Sequence, residues 1–289
     1  MYYARLSTAQ MIQNGLDGIY KNQGMSNEAM VQLATGKRTD LDPVEEAQLL
    51  NYKVSIENQA QHNRNIDNIT PKFEAQESSM RTVEAQLTNL QDILIKANNS
   101  ITAGDKGYYF EEYKAIKQSI MQQLNAKDIY GQYLYSGYES SVKPFDDQLN
   151  YLGDTGKSEI RIADNTTVQV NTVGSDLATS NLQNVISKLD GYFTNPAQLN
   201  MDTSVLDDVQ NSLVDVSVNI TKIGNKLNRI EMSKNANEDV IYTNKVRVSA
   251  IEDVDMVKAA ADFAKAQAAY QAALKTQATI QQLSLFNYV

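Results

Sequence analysis

Cysteine and tryptophan are absent from the 289 residues, histidine occurs once, and proline and glycine are scarce at 4 and 13. Without cysteine the chain has no disulfide and no thiolate metal ligand, and its redox compartment stays open. With His62 as the single histidine, a zinc site would need carboxylates alone, so no metal site is expected. No run of about 18 apolar residues occurs, and no membrane span is expected. The opening MYYARLSTAQMIQNG lacks the apolar core of a cleaved secretory signal, which leaves open export by a route needing no cleaved signal. Positive charge is also in short supply. Lys and Arg number 26 against 35 Asp and Glu, a net charge of −9. Non-specific attraction to nucleic acid or to an anionic membrane surface is therefore not expected. What remains is a chain long enough for a sizeable core or two ordinary domains. Few helix breakers and abundant Gln, Asn and Ala favour long helices.

Heptad periodicity dominates. Ile66, Ile69, Phe73, Gln76, Met80, Val83, Leu87, Leu90, Leu94, Ala97 and Ile101 alternate steps of three and four. Leu206, Val209, Leu213, Val216, Ile220, Ile223, Leu227 and Ile230 do the same. Such spacing keeps one apolar seam facing a partner helix. At about 1.5 Å per residue the first run extends over roughly 50 Å. One seam does not stabilise a lone helix, so these rods need each other or helices of other chains. Phe73, Met80, Val83, Leu87 and Leu90 with Leu213, Ile220 and Leu227 are the candidate rod seam. Thr70-Pro71 either restarts a helix or kinks a continuous one. Tyr109, Tyr113, Ile116, Ile120 and Leu124 suggest a further helix after a break at Gly104 to Gly107.

The middle changes period. EIRIADNTTVQVNTV at 159–173 places Ile160 with Ile162, and Val168 with Val170, on shared faces. Asp164-Asn165 reads as the turn between them and GDTGK at 153–157 as another, a meander of about three strands. Helical spacing resumes at Leu182, Val185, Ile186 and Leu189. The ends are a third class. Residues 12–33 carry a weak heptad, Ile12, Leu16, Ile19, Gln23, Ser26, Met30 and Leu33, while 259–278 is half alanine. Alanine forms helix readily but buries little area, so both ends read as helices that gain order by packing in an assembly. The fold class is mainly α: elongated antiparallel helical rods from the N- and C-terminal parts, with a small β-rich insertion between them.

No catalytic chemistry emerges. The stretch VQLATGKRTDLDP at 31–43 suggests a phosphate-binding loop. However, Val31 stands where that motif needs glycine, and Arg38 where it needs Ser or Thr. A helix-ending glycine followed by a polar loop explains it better. His62 lies in polar QAQHNRN and reads as a surface residue. The acidic pairs Glu45-Glu46, Asp146-Asp147, Asp207-Asp208 and Glu252-Asp253 point about 100° apart on a helix, poor geometry for paired acid–base work. Solvated faces or charge near a helix start explain them. Catalytic, cofactor-binding and metal residues are all expected to be absent, and the chain reads as no enzyme.

Several segments in order resemble the flagellin family, in its branch of hook–filament junction proteins. RLSTAQMIQNGLDGI (5–19) with LATGKRTDLDP (33–43) is similar to that family's terminal helix and turn. YGQYLYSGYESSVKPF (130–145) is similar to the aromatic entry to the middle domain, and YLGDTGKSEIRIADNTTVQVNTVG (151–174) to the β segment after it. IGNKLNRIE (223–231), IEDVDM (251–256) and LSLFNYV (283–289) resemble its C-terminal half. In the family the segment after Gly-Lys-Arg is longer than the TDLDP found here.

The resemblance implies a structural adapter that joins the hook to the flagellin filament. Residues 1–38 and 250–289 become terminal assembly helices forming an inner tube, 39–141 and 178–249 an outer rod, and 142–177 an outward-facing β insertion. Leu6, Ile12, Leu16, Ile19, Met30 and Leu33 are the candidate assembly residues of the first helix. Phe263, Tyr270, Leu274, Leu283, Leu285 and Phe286 are those of the last. The stripe Phe263, Tyr270, Leu274 is suited equally to an export chaperone and to ordinary helix packing. Implied partners are copies of the chain, a neighbouring hook-associated protein, flagellin and that chaperone, with no nucleic acid and no membrane. Localisation follows as the extracellular flagellum, reached through the flagellar type III route. The alternatives are a small flagellin that builds the filament itself, and a secreted coiled-coil protein of a type III system.

Overall fold

The computed structural model describes the backbone of residues 8–98, 103–177, 179–194 and 202–286. Helices α1 (Thr8–Thr35), α2 (Pro43–Asn98) and α3 (Ala103–Leu124) come first. Strands β1 (Glu159–Ala163) and β2 (Thr166–Gln169) and a short 3-10 turn at Gly174–Leu177 follow. Helices α4 (Ser180–Thr194), α5 (Ser204–Glu252) and α6 (Met256–Phe286) complete the chain. The expected class, mainly α with a small β element in the middle, is what folds. Two compact units result, residues 1–57 with 241–289, and residues 58–240.

Capping explains where the long helices begin. Asp42 Oδ1 accepts from the N–H groups of Val44 and Glu45 at 2.8 and 2.7 Å, and Glu45 Oε2 reaches back to the Asp42 N–H at 3.1 Å. This capping box, with Pro43 at the first helical position, starts α2 inside the shortened TDLDP segment. Asp202 caps α5 through the Ser204 N–H, and Asp255 caps α6 through Val257 and Lys258. Pro71 lies inside an unbroken α2, which decides for a continuous helix. Gly107 lies inside α3, so the expected break does not occur there.

In the second unit the α2 heptad is buried from Ile66 through Ala97, as its spacing predicts; Ile101 lies outside the described residues. The buried face also continues backward through Gln59 and His62. His62 is therefore a core-facing residue, and its surface reading is corrected. The polar neighbours hid the seam. On α5 the innermost positions are Val205, Val209, Ser212, Val216, Asn219, Ile223 and Ile230. Leu206, Leu213, Ile220 and Leu227 sit one residue on, half-buried at the edge of the core. The heptad was right in period and half a step off in face, because polar residues occupy inner positions.

Those polar residues grip the middle segment. Gln76 Nε2 donates to the Leu134 carbonyl at 3.3 Å and its Oε1 accepts from Thr172 Oγ1 at 2.8 Å. Asn219 Nδ2 donates to the Leu177 carbonyl and Asn237 Nδ2 to the Ile162 carbonyl, both at 2.9 Å. A buried amide left unpaired is costly, so each of these seam positions specifies where the insertion docks. Phe145, Leu149, Ile162 and Val168 of that segment join α2, α3, α4 and α5 in one apolar cluster. The β element is a single antiparallel hairpin with the expected turn at Asp164-Asn165. Among the described residues it has two strands, not three. Isolated bridges such as Phe145 to Tyr151 and Ser136 to Val173 hold the remaining turns, because Pro144 and the flanking glycines Gly137, Gly153 and Gly174 interrupt longer pairing.

Candidate assembly site at the paired terminal turns

The Gly-Lys-Arg-Thr stretch and the IEDVDM stretch, separated by more than two hundred residues, meet in the first unit. Gly36 ends α1 with φ 69°, the left-handed conformation glycine adopts without penalty. Its N–H donates to the Gln32 carbonyl at 2.8 Å, closing the helix as such caps do. The chain then runs antiparallel to the α5–α6 turn, with Lys37 opposite Asp253. The Arg38 N–H donates to the Glu252 carbonyl at 2.7 Å, and the Val254 N–H to the Gly36 carbonyl at 3.0 Å.

Side chains reinforce this latch. Glu252 Oε1 accepts from Lys37 Nζ at 2.8 Å and Lys53 Nζ at 3.0 Å. Those ammonium groups, Lys37 first, hold the Glu252 carboxyl below its ordinary range. Arg38 forks onto both oxygens of Glu45 at 3.1 and 3.2 Å, and donates to the Ile251 carbonyl at 3.2 Å. Its Nε contacts Asp40 at 3.1 Å. The guanidinium lowers the Asp40 carboxyl, while Glu45 and Asp40 raise Arg38. Lys37 and Arg38 are thus spent on carboxylates of their own chain. The stretch resembling a phosphate loop is a clasp between two helix–helix turns.

Beyond the clasp, α1 and α6 run antiparallel, with Gly36 beside Val254 at one end and Gly15 against Gln277 at the other. Among the described residues little apolar surface is buried between them: Ile19, Ala29, Ala259 and Ala266. Small side chains on both helices leave a thin apolar contact. Gln277 is buried there with neither amide atom hydrogen-bonded. Large apolar side chains instead face outward: Met11, Leu16, Met30, Val31, Val257 and Leu274 are all exposed.

The sequence candidates divide accordingly. Ile19 faces the partner helix, Ile12 and Leu33 are half-buried, and Leu16 and Met30 lie on the exposed side. The inner face of α1 passes through Gly15, Asn22 and Ala29 rather than through Leu16, Gln23 and Met30. On α6, Phe263 and Tyr270 are half-buried and Leu274 is exposed. Leu6 and the side chains of Leu283, Leu285 and Phe286 lie outside the described residues. In the second unit Phe73, Met80, Val83, Leu87 and Leu90 are fully buried. The clasp itself escaped sequence reasoning. Its signal was present as two helix breaks of opposite charge, Lys37-Arg38 and Glu252-Asp253.

Among the described residues no group of three or more His, Asp or Glu is placed to hold a metal ion. The acidic pairs diverge: Asp208 binds Lys188 at 2.6 Å, and Asp146 caps a turn through Gln148 and Asn150. Among the described residues no helix is long and apolar enough to cross a membrane.

No family model matches the sequence. Two curated proteins do, each at 22% identity over 98% of this chain and 98% of their own: flagellar hook-associated protein 3 of Salmonella typhimurium and of Escherichia coli. Among solved structures, a putative flagellar hook-associated protein from Vibrio parahaemolyticus superposes with a TM-score of 0.62 at 22% identity, covering 73% of this chain and 96% of that one. FlgL of Bacillus cereus gives a TM-score of 0.61 at 17% identity, covering 69% and 99%. The chain therefore shares the fold of these solved flagellar proteins, and is similar end to end to hook-associated protein 3 of two bacteria.

Proposed function

We propose that this chain is a structural subunit of the bacterial flagellum, an adapter at the junction between hook and filament. The observation that carries the reading is the terminal unit. First and last helices are clasped side by side, bury little between them, and turn Leu16, Met30, Val31 and Leu274 outward. Exposed apolar side chains on a thinly packed helix pair are suited to burial against neighbouring subunits. The end-to-end likeness to hook-associated proteins, whose similarity includes both termini, supports the same assignment. In this reading α1 and α6 stack with copies of the chain, with a neighbouring hook-associated protein below and with flagellin above. Residues 39–141 and 178–249 form the rod, and residues 142–177 lie in the insertion. Before export through the flagellar type III apparatus, Phe263, Tyr270 and Leu274 bind a chaperone.

Seeded polymerisation tests the reading. Purified chain is added to hook or filament fragments, with and without the neighbouring hook-associated protein, and followed by light scattering and electron microscopy. A limited cap that afterwards accepts flagellin is expected. Long filaments of this protein alone would make it a filament-forming flagellin, and failure to bind any seed would remove the flagellar reading. Charged substitutions at exposed positions, Leu16→Glu or Leu274→Glu, are expected to block capping while leaving the second unit folded.

A further inference from the structure

The second unit contains a feature apart from the clasped terminal helices. A cavity of about 560 Å³ lies between the middle segment and α5, lined by Lys157, Asp176, Lys222, Asn225 and Lys226 among others. Three ammonium groups share this wall with one carboxylate, Asp176, which is already paired with Lys157 at 2.8 Å. In a chain of net charge −9 this is a local reversal of sign.

Lys222 and Lys226 are placed at a disadvantage. Lys222 and Lys226 are four apart on α5, a like-charge spacing that destabilises a helix. Lys226 also falls seven residues after Asn219 and fourteen after Ser212, continuing the inward-facing positions of α5. A lysine there is half-buried, with its Nζ 5.3 Å from the centre of the Phe73 ring. Burial, and then the neighbouring Lys157 and Lys222, push its pKa down. Among the described residues neither Lys222 nor Lys226 forms an ion pair. The aromatic face compensates only partly.

Three of the other polar lining residues already hold the surrounding chain. Gln169 Nε2 donates to Asn171, Thr172 Oγ1 to Gln76, and Asn219 Nδ2 to Leu177. The ammonium groups are the charged donors of the lining. Such a site selects by charge and size.

We propose that this cavity binds a compact dianion, a phosphate or sulfate group, held by Lys222 and Lys226 with Lys157 at its rim. The excess of ammonium over carboxylate on the lining matches two negative charges. The volume exceeds that of the bare ion, so the group can arrive free or as the ester of a small sugar.

Titration calorimetry of the full chain with inorganic phosphate, inorganic sulfate and glucose 6-phosphate, each against chloride at equal ionic strength, tests this. Saturable one-to-one binding of phosphate or sulfate is expected. Lys226→Met keeps the apolar stem over Phe73 and removes the charge, and Lys222→Gln changes an exposed position. Either substitution is expected to weaken binding roughly tenfold or more, as loss of one charge-assisted contact does. Phosphate is also expected to raise the melting temperature of the parent chain and not that of Lys226→Met. Tighter binding of the sugar phosphate identifies an ester as the source, and equal binding a free ion. Heats indistinguishable from chloride, or affinities unchanged in both variants, would overturn the proposal.

Discussion

Replacing Gly36 by alanine separates backbone conformation from packing, because the φ of 69° is strained for any residue with a Cβ while nothing lies within 4 Å of where that Cβ would be. The penalty is therefore conformational, about 1–2 kcal/mol for alanine in the left-handed region. Asparagine tolerates that region better and is expected to lose less. The strain bears on the clasp directly, since the Gly36 carbonyl accepts from the Val254 N–H and the next peptide leads to the Arg38 N–H bonded to Glu252. A loss of that size multiplies the open population by roughly 5–30. Hydrogen exchange at the Arg38 and Val254 amides is the assay. Gly36→Ala is expected to accelerate both within that range, with Gly36→Asn between it and the parent chain. The Leu134 N–H, bonded to the Ala126 carbonyl in the second unit, serves as the internal control and is expected not to change. If alanine and asparagine accelerate exchange equally, or neither does, the left-handed cap is not what holds the turns together.

Glu252 has its pKa lowered from 4.5 in the fold. Its contribution is thus present at neutral pH and lost as pH falls below about 4.5 through the folded value. Acid should open the clasp amides in the parent chain and shift them much less in Glu252→Gln, as read by exchange at pH 3 to 7. Leu87 is fully buried and Leu274 exposed. Leu87→Ala should lower stability by about 2–5 kcal/mol in denaturant melts, whereas Leu274→Ala should stay within about 0.5 kcal/mol in the free chain. Gln277→Leu removes two buried unpaired amide atoms. It should stabilise the first unit by about 1–3 kcal/mol, visible as slower exchange of α6 amides.

Much was legible along the chain without coordinates. The α2 seam from Ile66 to Ala97, the turn at Asp164-Asn165 and the return of helix at Leu182 all appear where spacing placed them. They could be read because a helix or hairpin that buries one face must repeat apolar residues at its own period. Composition likewise implied a helical chain whose termini pack thinly. Tertiary structure alone decided four things. It put His62 inside the core, placed Ser212 and Asn219 rather than Leu213 and Ile220 innermost on α5, and joined Gly36-Lys37-Arg38 to Glu252-Asp253-Val254. It also gathered Lys157, Lys222 and Lys226 around one cavity. For all but Ser212, whose hydroxyl donates to the Asp208 carbonyl of its own helix, the physical reason is common. A polar residue takes a buried position when a distant segment supplies its hydrogen bond, ion pair or neighbour, and periodicity within one helix carries no record of that partner.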